Sequence, residues 1–135
     1  MKPQVLKDVI KNHGFNVEEV DFYEEGYEVQ LSLGEEKSFP KEAQKTVEKQ
    51  TGLVFAEIEY IGNNAKIKFV PVSFEEMVDY VWSYVENFCD TNRSIQSKLM
   101  DAFSALERLV EEIPKDNEQK NTATNNYTEF TKLIF

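Results

Sequence analysis

The chain has 135 residues and a formal net charge of −10, with 25 acidic and 15 basic residues, one histidine and one cysteine. This length predicts a single domain with a hydrophobic core of its own. The negative charge disfavours direct binding to a nucleic-acid backbone or to an anionic membrane, because both ligands require a basic protein surface. A lone cysteine excludes a framework of intramolecular disulfides, and no apolar run has the length of a membrane span. We therefore expect a soluble, cytoplasmic protein.

Residues 1–72 predict a head of order α-β-β-α-β-β, because two helical patterns alternate with two pairs of strand patterns. In the strand patterns apolar and polar side chains alternate, which is typical of antiparallel strands. We therefore expect an α+β fold with a four-stranded, mainly antiparallel sheet and both short helices on one face. The expected elements are, in order, a helix between Pro3 and Gly14, strands at 16–23 and 27–33, a helix at 38–51, and a hairpin centred on Asn63 and Asn64.

The hairpin also predicts a strand register. A two-residue turn at Asn63-Asn64, where positive φ is tolerated, would place Glu59 opposite Lys68. The same register would place Tyr60 opposite Ile67. Opposite charges would then face each other on the outer side of the sheet, and apolar side chains would meet on the inner side.

Residues 73–113 contain neither glycine nor proline and carry an apolar stripe at steps of four and three, which predicts a long C-terminal helical segment. Ser73 and Glu76 have the spacing of a helix cap at its start. The polar run 90–94 leaves two alternatives open. A turn there would give a helical hairpin, whereas an unbroken helix would be about 61 Å long.

The apolar face of this segment is wider than a two-stranded coiled coil requires, so we expect it to pack on the sheet and on a neighbouring helix. It also exceeds the surface that the small head covers, which predicts self-association as a homodimer. The residues expected at that contact are Val85, Phe88, Asn92, Ile95, Leu99, Leu106 and Leu109.

Acidic residues are distributed unevenly along the chain. Residues 18–36 include eight acidic residues and no basic one, and residues 75–90 include five acidic residues and no Lys or Arg. Carboxylates then recur about every 6–7 Å along a strand or a helix, a pitch that suits a groove built for a nucleic-acid backbone. The alternative is that these faces only confer solubility. The expected partner-binding face consists of Glu18, Glu19, Asp21, Glu24, Glu25, Glu28, Glu75, Asp79, Glu86 and Asp90.

The chain is therefore interpreted as one domain at 1–114, with the head at 1–72 and the helical segment at 73–114. The polar run 115–126 is expected to be a flexible linker. The apolar segment 127–135 is either a tethered recognition segment or an element that packs on its own head or on a second protomer. Its anchor residues are Tyr127, Phe130, Leu133 and Phe135.

No combination of residues indicates catalysis, a metal site or a cofactor. His13, the single histidine, is expected at the end of the first helix, where a cation favours the helix dipole. Cys89 is expected to be a small buried side chain. The run from Asp90 to Ser94 has the spacing of a calcium loop, but the position that requires glycine is Ile95. We therefore expect no enzyme and no bound cofactor or metal.

These features predict a non-enzymatic acidic protein-interaction module. It would inhibit or regulate a partner with a basic, nucleic-acid-binding surface, as a nucleic-acid mimic. The alternative is a small acidic dimeric chaperone or adaptor that holds an extended segment of a client protein. In topology alone, the element order and acidity resemble those of the small dimeric chaperones of bacterial type III secretion, which implies this second function. An electrostatic decoy loses affinity steeply with salt, whereas an apolar client groove does not.

Overall fold

The structure, a computed structural model, describes residues 3–24, 26–34 and 38–135. The described elements follow the order α-β-β-α-β-β-α-α-α, so the predicted α+β class and the α-β-β-α-β-β head are confirmed. The elements are α1 Pro3–Asn12, β1 Asn16–Tyr23, β2 Gly26–Ser32, α2 Lys41–Thr51, β3 Leu53–Ile61, β4 Asn64–Pro71, α3 Phe74–Phe88, α4 Ile95–Glu112 and α5 Lys120–Ile134.

The four strands form one antiparallel sheet in the order β1-β2-β4-β3. Helices α1 and α2 pack on one face of it. Leu6 and Ile10 of α1 and Val47 of α2 are fully buried there, in one cluster with Val29 and Ile67 of the sheet. The alternation of side chains along each strand directs these apolar residues to the same face.

Residues 73–113 form a helical hairpin, so the turn alternative is confirmed and the unbroken helix is wrong. The Ser73 side chain accepts a hydrogen bond from the backbone N–H of Glu76 (3.1 Å) and caps α3 as predicted. The Ser94 side chain caps α4 in the same way. Between the helices, Asp90 Oδ1 accepts a hydrogen bond from the backbone N–H of Asn92 (2.8 Å) and supports the turn.

Helix α3 crosses the end of the sheet from β3 to β1. In its first turn, Glu76 lies beside Gly52, the residue that precedes β3. Further along, the Tyr80 hydroxyl donates a hydrogen bond to the backbone oxygen of Glu24 in the β1–β2 turn (2.7 Å). The helix ends where the ring of Phe88 lies 5.7 Å from that of Phe22 in β1. Burial raises the pKa of the Tyr80 hydroxyl, which therefore stays protonated and able to donate.

Helix α4 covers the second face of the sheet. Lys68 of β4 is only 8% exposed, and its Nζ lies 2.9 Å from Glu112 Oε2, which joins the sheet to the last turn of α4. Leu106 and Leu109 are 0% and 1% exposed within this single chain. The chain's own sheet and helices thus cover these two leucines, and their predicted role in self-association stays a prediction.

Helix α5 differs from the sequence interpretation of residues 115–126 as a flexible linker, since it begins at Lys120. Asn and Thr are poor helix formers, so the local composition does not indicate this helix. Tertiary contacts compensate: Ala123 is fully buried, and Asn126 Nδ2 donates to the backbone oxygen of Val72 (2.8 Å). The apolar terminus thus packs on its own hairpin, with Phe130 buried at its centre.

The register of the β3–β4 hairpin is two residues away from the predicted one. Glu59 pairs with Lys66, and Glu57 pairs with Lys68. The turn residues are Gly62 and Asn63, with φ +61° at the glycine and no positive φ at the asparagine, the pattern of a type II′ turn. A shift of two residues leaves every side chain on its face, so opposite charges still meet, with different partners.

A bulge between Phe55 and Glu57 interrupts the alternation that the sequence predicted along β3. Because of the extra residue, Ala56 packs in the cluster with α3 and α4, whereas Ile58 contacts the cluster on the other face. Simple alternation would place Ala56 and Ile58 on the same face of the sheet, but the bulge directs them to opposite faces, each covered by helices.

We predict that Gly26→Ala destabilises the fold strongly. Gly26 has φ +99°, and a Cβ there would lie 2.8 Å from the backbone oxygen of Phe69, under Leu109 of α4. Left-handed strain and overpacking together should lower the free energy of unfolding by ~2–5 kcal/mol in urea denaturation. Gly14→Ala is the matched control, because Gly14 has φ +88° with nothing within 4 Å and should cost only ~1–2 kcal/mol. Equal losses for both variants would contradict the close packing at Gly26.

Candidate functional site

An apolar groove lies between the third and fifth helices, with the fourth helix as its floor. Its volume is about 590 Å³. At its narrow end the rings of Phe74 in α3 and Phe130 in α5 are 5.2 Å apart and in contact. The groove is lined by Val78, Asp79, Val81, Trp82, Ser83, Leu99, Phe130 and Ile134.

Large apolar side chains of this groove are exposed. Trp82 is 66% exposed and Val78 is 40% exposed, although Val81 between them is buried. Val78 and Trp82 are four residues apart, so they share one side of α3, next to the side that packs on the core. Contiguous exposed apolar surface of this kind marks a binding surface more often than isolated apolar residues do.

An acidic ridge borders the groove along the outer side of α3, formed by Glu75, Asp79 and Glu86. Helix α3 contains four acidic residues and neither Lys nor Arg. No described Lys or Arg forms an ion pair with Glu75 or Glu86. Asp79 also lines the groove, so the ridge and the apolar surface are continuous.

The acidic residues of β1 and β2 lie in a different electrostatic environment. Asp21 and Glu28 are cross-strand neighbours, and their charge together with a hydrogen bond to Asp21 raises the pKa of Glu19. Glu28, however, pairs with Lys66 at 3.8 Å and lies directly opposite Lys68. Asp21 and Glu28 are therefore adjacent carboxylates, and the next strand places Lys68 beside Glu28, so the negative row ends at β4.

The remaining predicted acidic residues are dispersed. Glu18 is exposed at the bulge of β1, and Glu24 contributes its backbone oxygen to the contact with Tyr80. Asp90 belongs to the hairpin turn. Glu25 lies outside the described residues. The structure thus brings together the α3 members of the predicted acidic face, and it separates them from the strand members.

The predicted self-association and tail residues have mixed positions. Val85 and Leu99 are half-buried, whereas Phe88, Asn92 and Ile95 are exposed around the hairpin turn. The homodimer stays a prediction. In the tail, Phe130 is buried and Tyr127 packs on the same cluster. The ring of Phe135 meets that of Phe103 edge to face at 5.3 Å, and Leu133 is 74% exposed.

Trp82 is a candidate binding residue that sequence reasoning missed. Its position on the flank of the apolar stripe indicated that it would be covered by a neighbouring helix. Helix α5 instead ends beside it, with Ile134 at the far wall of the groove. The signal in the sequence that pointed here is a tryptophan four residues before Glu86, on the side of α3 that also carries acidic residues.

A second crevice of about 850 Å³ lies between α2 and the α4–α5 connection. Its walls carry three lysines and three carboxylates, so it has no net sign of charge. Within it, Glu48 Oε2 accepts hydrogen bonds from the backbone N–H of Phe55 and from Asn117 Nδ2, both at 3.3 Å. Glu48 therefore covers an edge N–H of β3, which is a structural role.

The described side chains that line the groove include no histidine or cysteine. His13 is exposed at the end of α1, and burial raises the pKa of the half-buried Cys89 thiol, which disfavours the reactive thiolate. No group of three or more His, Cys, Asp or Glu side chains suited to a metal ion occurs among the described residues. In the same part of the chain, no helix is both long and apolar enough to cross a membrane.

Comparison of the chain with protein-family models, with curated proteins and with solved structures finds no match.

We predict that Asp21→Asn lowers the pKa of Glu19 toward its ordinary value, since both the hydrogen bond and the charge that raise it come chiefly from Asp21. A raised folded-state pKa means that Glu19 stabilises the fold at acidic pH and that this contribution is lost as the pH rises through that pKa. NMR titration of the Glu19 carboxyl carbon measures the change. Asp8→Asn in α1, on the opposite layer, should leave the Glu19 titration unchanged, and the same shift in both variants would contradict the cluster.

Proposed function

We propose that this chain is a non-enzymatic, cytoplasmic protein-interaction module that binds a partner with a basic surface through α3. The observation that carries the proposal is the continuity of the acidic ridge with exposed Trp82 and Val78 on one helix. Charge and apolar area are thus combined in one surface, which is the composition of a protein-binding site with a central aromatic anchor.

The two parts of the surface would contribute differently to binding. The ridge carboxylates act over a distance and increase the rate of encounter with a basic partner, an effect that salt screens. The apolar groove provides affinity at contact, because it removes apolar area from water. Occupation of the partner's basic surface by α3 would exclude other anionic ligands from it, which is how the module would inhibit or regulate that partner.

Mimicry of a nucleic acid is supported for α3 alone. Glu75 and Asp79 are one turn apart, about 6 Å along the helix axis. Among the strand carboxylates, Glu28 pairs with Lys66 and lies opposite Lys68, so its charge is partly compensated within the sheet. We therefore restrict the proposed basic-partner surface to the α3 ridge.

A second candidate function is the chaperone or adaptor, and the groove is the observation that favours it. An extended client segment with apolar side chains would contact Val78, Trp82 and Ile134 in place of water. Binding of this kind depends on buried apolar area and is nearly independent of salt, in contrast to binding by the ridge.

We predict that reversal of the three ridge charges, Glu75→Lys with Asp79→Lys and Glu86→Lys, weakens partner binding by ~10-fold or more while the fold is retained. The three side chains are exposed and lie opposite the packed side of α3, so circular dichroism should be unchanged. Binding is measured by capture of partner proteins from the native host with the purified chain, followed by titration of each captured protein at low and high salt.

The matched control reverses three exposed charges elsewhere: Asp8→Lys, Glu42→Lys and Glu118→Lys. Both triple variants change the net charge by the same amount, so only the position differs. Equal loss of binding in the two variants would show that net charge alone is responsible. Partners that bind both variants and are indifferent to salt would favour the chaperone function.

A further inference from the structure

We propose that the groove between α3 and α5 holds one amphipathic helix of the partner protein, with apolar anchors in the groove and Lys or Arg along the flank that faces the ridge. The inference rests on the proposed function of α3 and specifies which structural element of the partner α3 recognises.

The shape of the site follows from the directions of three helices. Phe74 meets Phe130, and Val78 and Trp82 then face Ile134, so α3 and α5 run side by side in the same direction. Helix α4 runs the opposite way beneath them, with Tyr127 near Glu107 and Ile134 near Leu99. Two helices lying on a third leave a trough between them, and a fourth helix is the element whose diameter and side-chain spacing fill such a trough.

The exposure of the walls favours an elongated occupant over a small molecule. A small-molecule site encloses most of its ligand, whereas Trp82, a wall residue here, is 66% exposed. The polar side chains in the lining are Asp79 and Ser83, which offer few groups to orient a small ligand. A helix laid along the trough would instead cover Trp82, Val78 and Ile134 together, with anchors at steps of four and three.

The charge of the surroundings selects the chemistry of that helix. The ridge residues Glu75 and Glu86 have no described cationic partner, and the whole chain carries −10. A second copy would bring the same acidic ridge to the same groove, and like charges oppose that contact. A helix with Lys or Arg on one flank, one turn apart, matches the spacing of Glu75 and Asp79.

Trp82 provides a direct measurement, because it is the single tryptophan of the chain. The probe is a synthetic peptide of about 18 residues, with leucines along one helical face and lysines along one flank, long enough to become helical on binding. Titration of the peptide into the wild-type chain should shift the Trp82 emission to shorter wavelength, and circular dichroism should gain helical signal. A fluorescent label on the peptide gives the affinity by anisotropy.

Substitutions locate the contact. Trp82→Ala and Val78→Ala should each weaken labelled-peptide binding by about tenfold, because each removes apolar area from the wall of the groove. Met100→Ala is the matched control, since Met100 is 53% exposed on α4 and does not line the groove. Equal effects of Met100→Ala and Trp82→Ala would overturn the assignment, as would a Trp82 emission that the peptide leaves unchanged.

Two further peptides test the chemistry of the occupant. Replacement of the lysines by glutamates should weaken binding at low salt by at least tenfold, and unchanged binding would exclude the proposed charge match. Replacement of two central leucines by prolines should abolish binding. If the proline peptide binds equally well without helical signal, the occupant is an extended segment and the inference is wrong.

Other occupants of the groove, a second copy of the chain or a small molecule, would give different results in the same experiments. A second copy would shift the Trp82 emission with protein concentration alone, in parallel with dimerisation in sedimentation, and would exclude the partner helix. A short-chain fatty acid that displaces the peptide stoichiometrically would identify a small-molecule site instead. If the triple charge reversal abolishes binding of the natural partner while Trp82→Ala leaves it unchanged, the proposed function stands and only the helix assignment falls.

Discussion

The architecture depends on the burial of one apolar helical face by two different surfaces. The hairpin of α3 and α4 carries more apolar side chains than the sheet covers, since Leu109 lies beside Gly26 and Val70 while Phe103 contacts Phe130 of α5. The chain's own terminal helix packs on the second side, where Phe130 contacts Phe103. The terminal helix leaves the groove around Trp82 exposed, and this groove is part of the proposed binding surface.

Those parts of the fold that local patterns determine were predictable from the sequence. The strands at 16–23 and the cap at Ser73 follow from alternation and from side-chain chemistry within a few residues. The hairpin register was not predictable, because Gly62-Asn63 and Asn63-Asn64 are both acceptable turns and the charge pattern is satisfied by either. Helix α5 was missed because its stability comes from contacts of Ala123 and Phe130 with distant residues and not from its Asn- and Thr-rich composition.

In the candidate site, too, some features follow from the local sequence and others depend on contacts between distant residues. That the α3 carboxylates share one side of a helix was predictable from their spacing alone. Whether the strand carboxylates join them was not, because Lys66 and Lys68 reach that face only through pairing between β2 and β4, which are distant in sequence. The exposure of Trp82 depends on how α5 lies relative to α3. The local sequence pattern does not predict how two helices pack against each other.

The carboxylates of the sheet and those of α3 differ in their surroundings. On the sheet, Glu28, Glu57 and Glu59 lie beside Lys66 or Lys68 on a neighbouring strand, so opposite charges there contribute to the fold. On α3, Glu75 and Asp79 are four residues apart and of like charge, an arrangement that costs an isolated helix about 0.2–0.5 kcal/mol. A cationic flank placed beside Trp82 would offset that repulsion and at the same time cover the exposed ring, so electrostatics and apolar burial favour the same occupant at the same place.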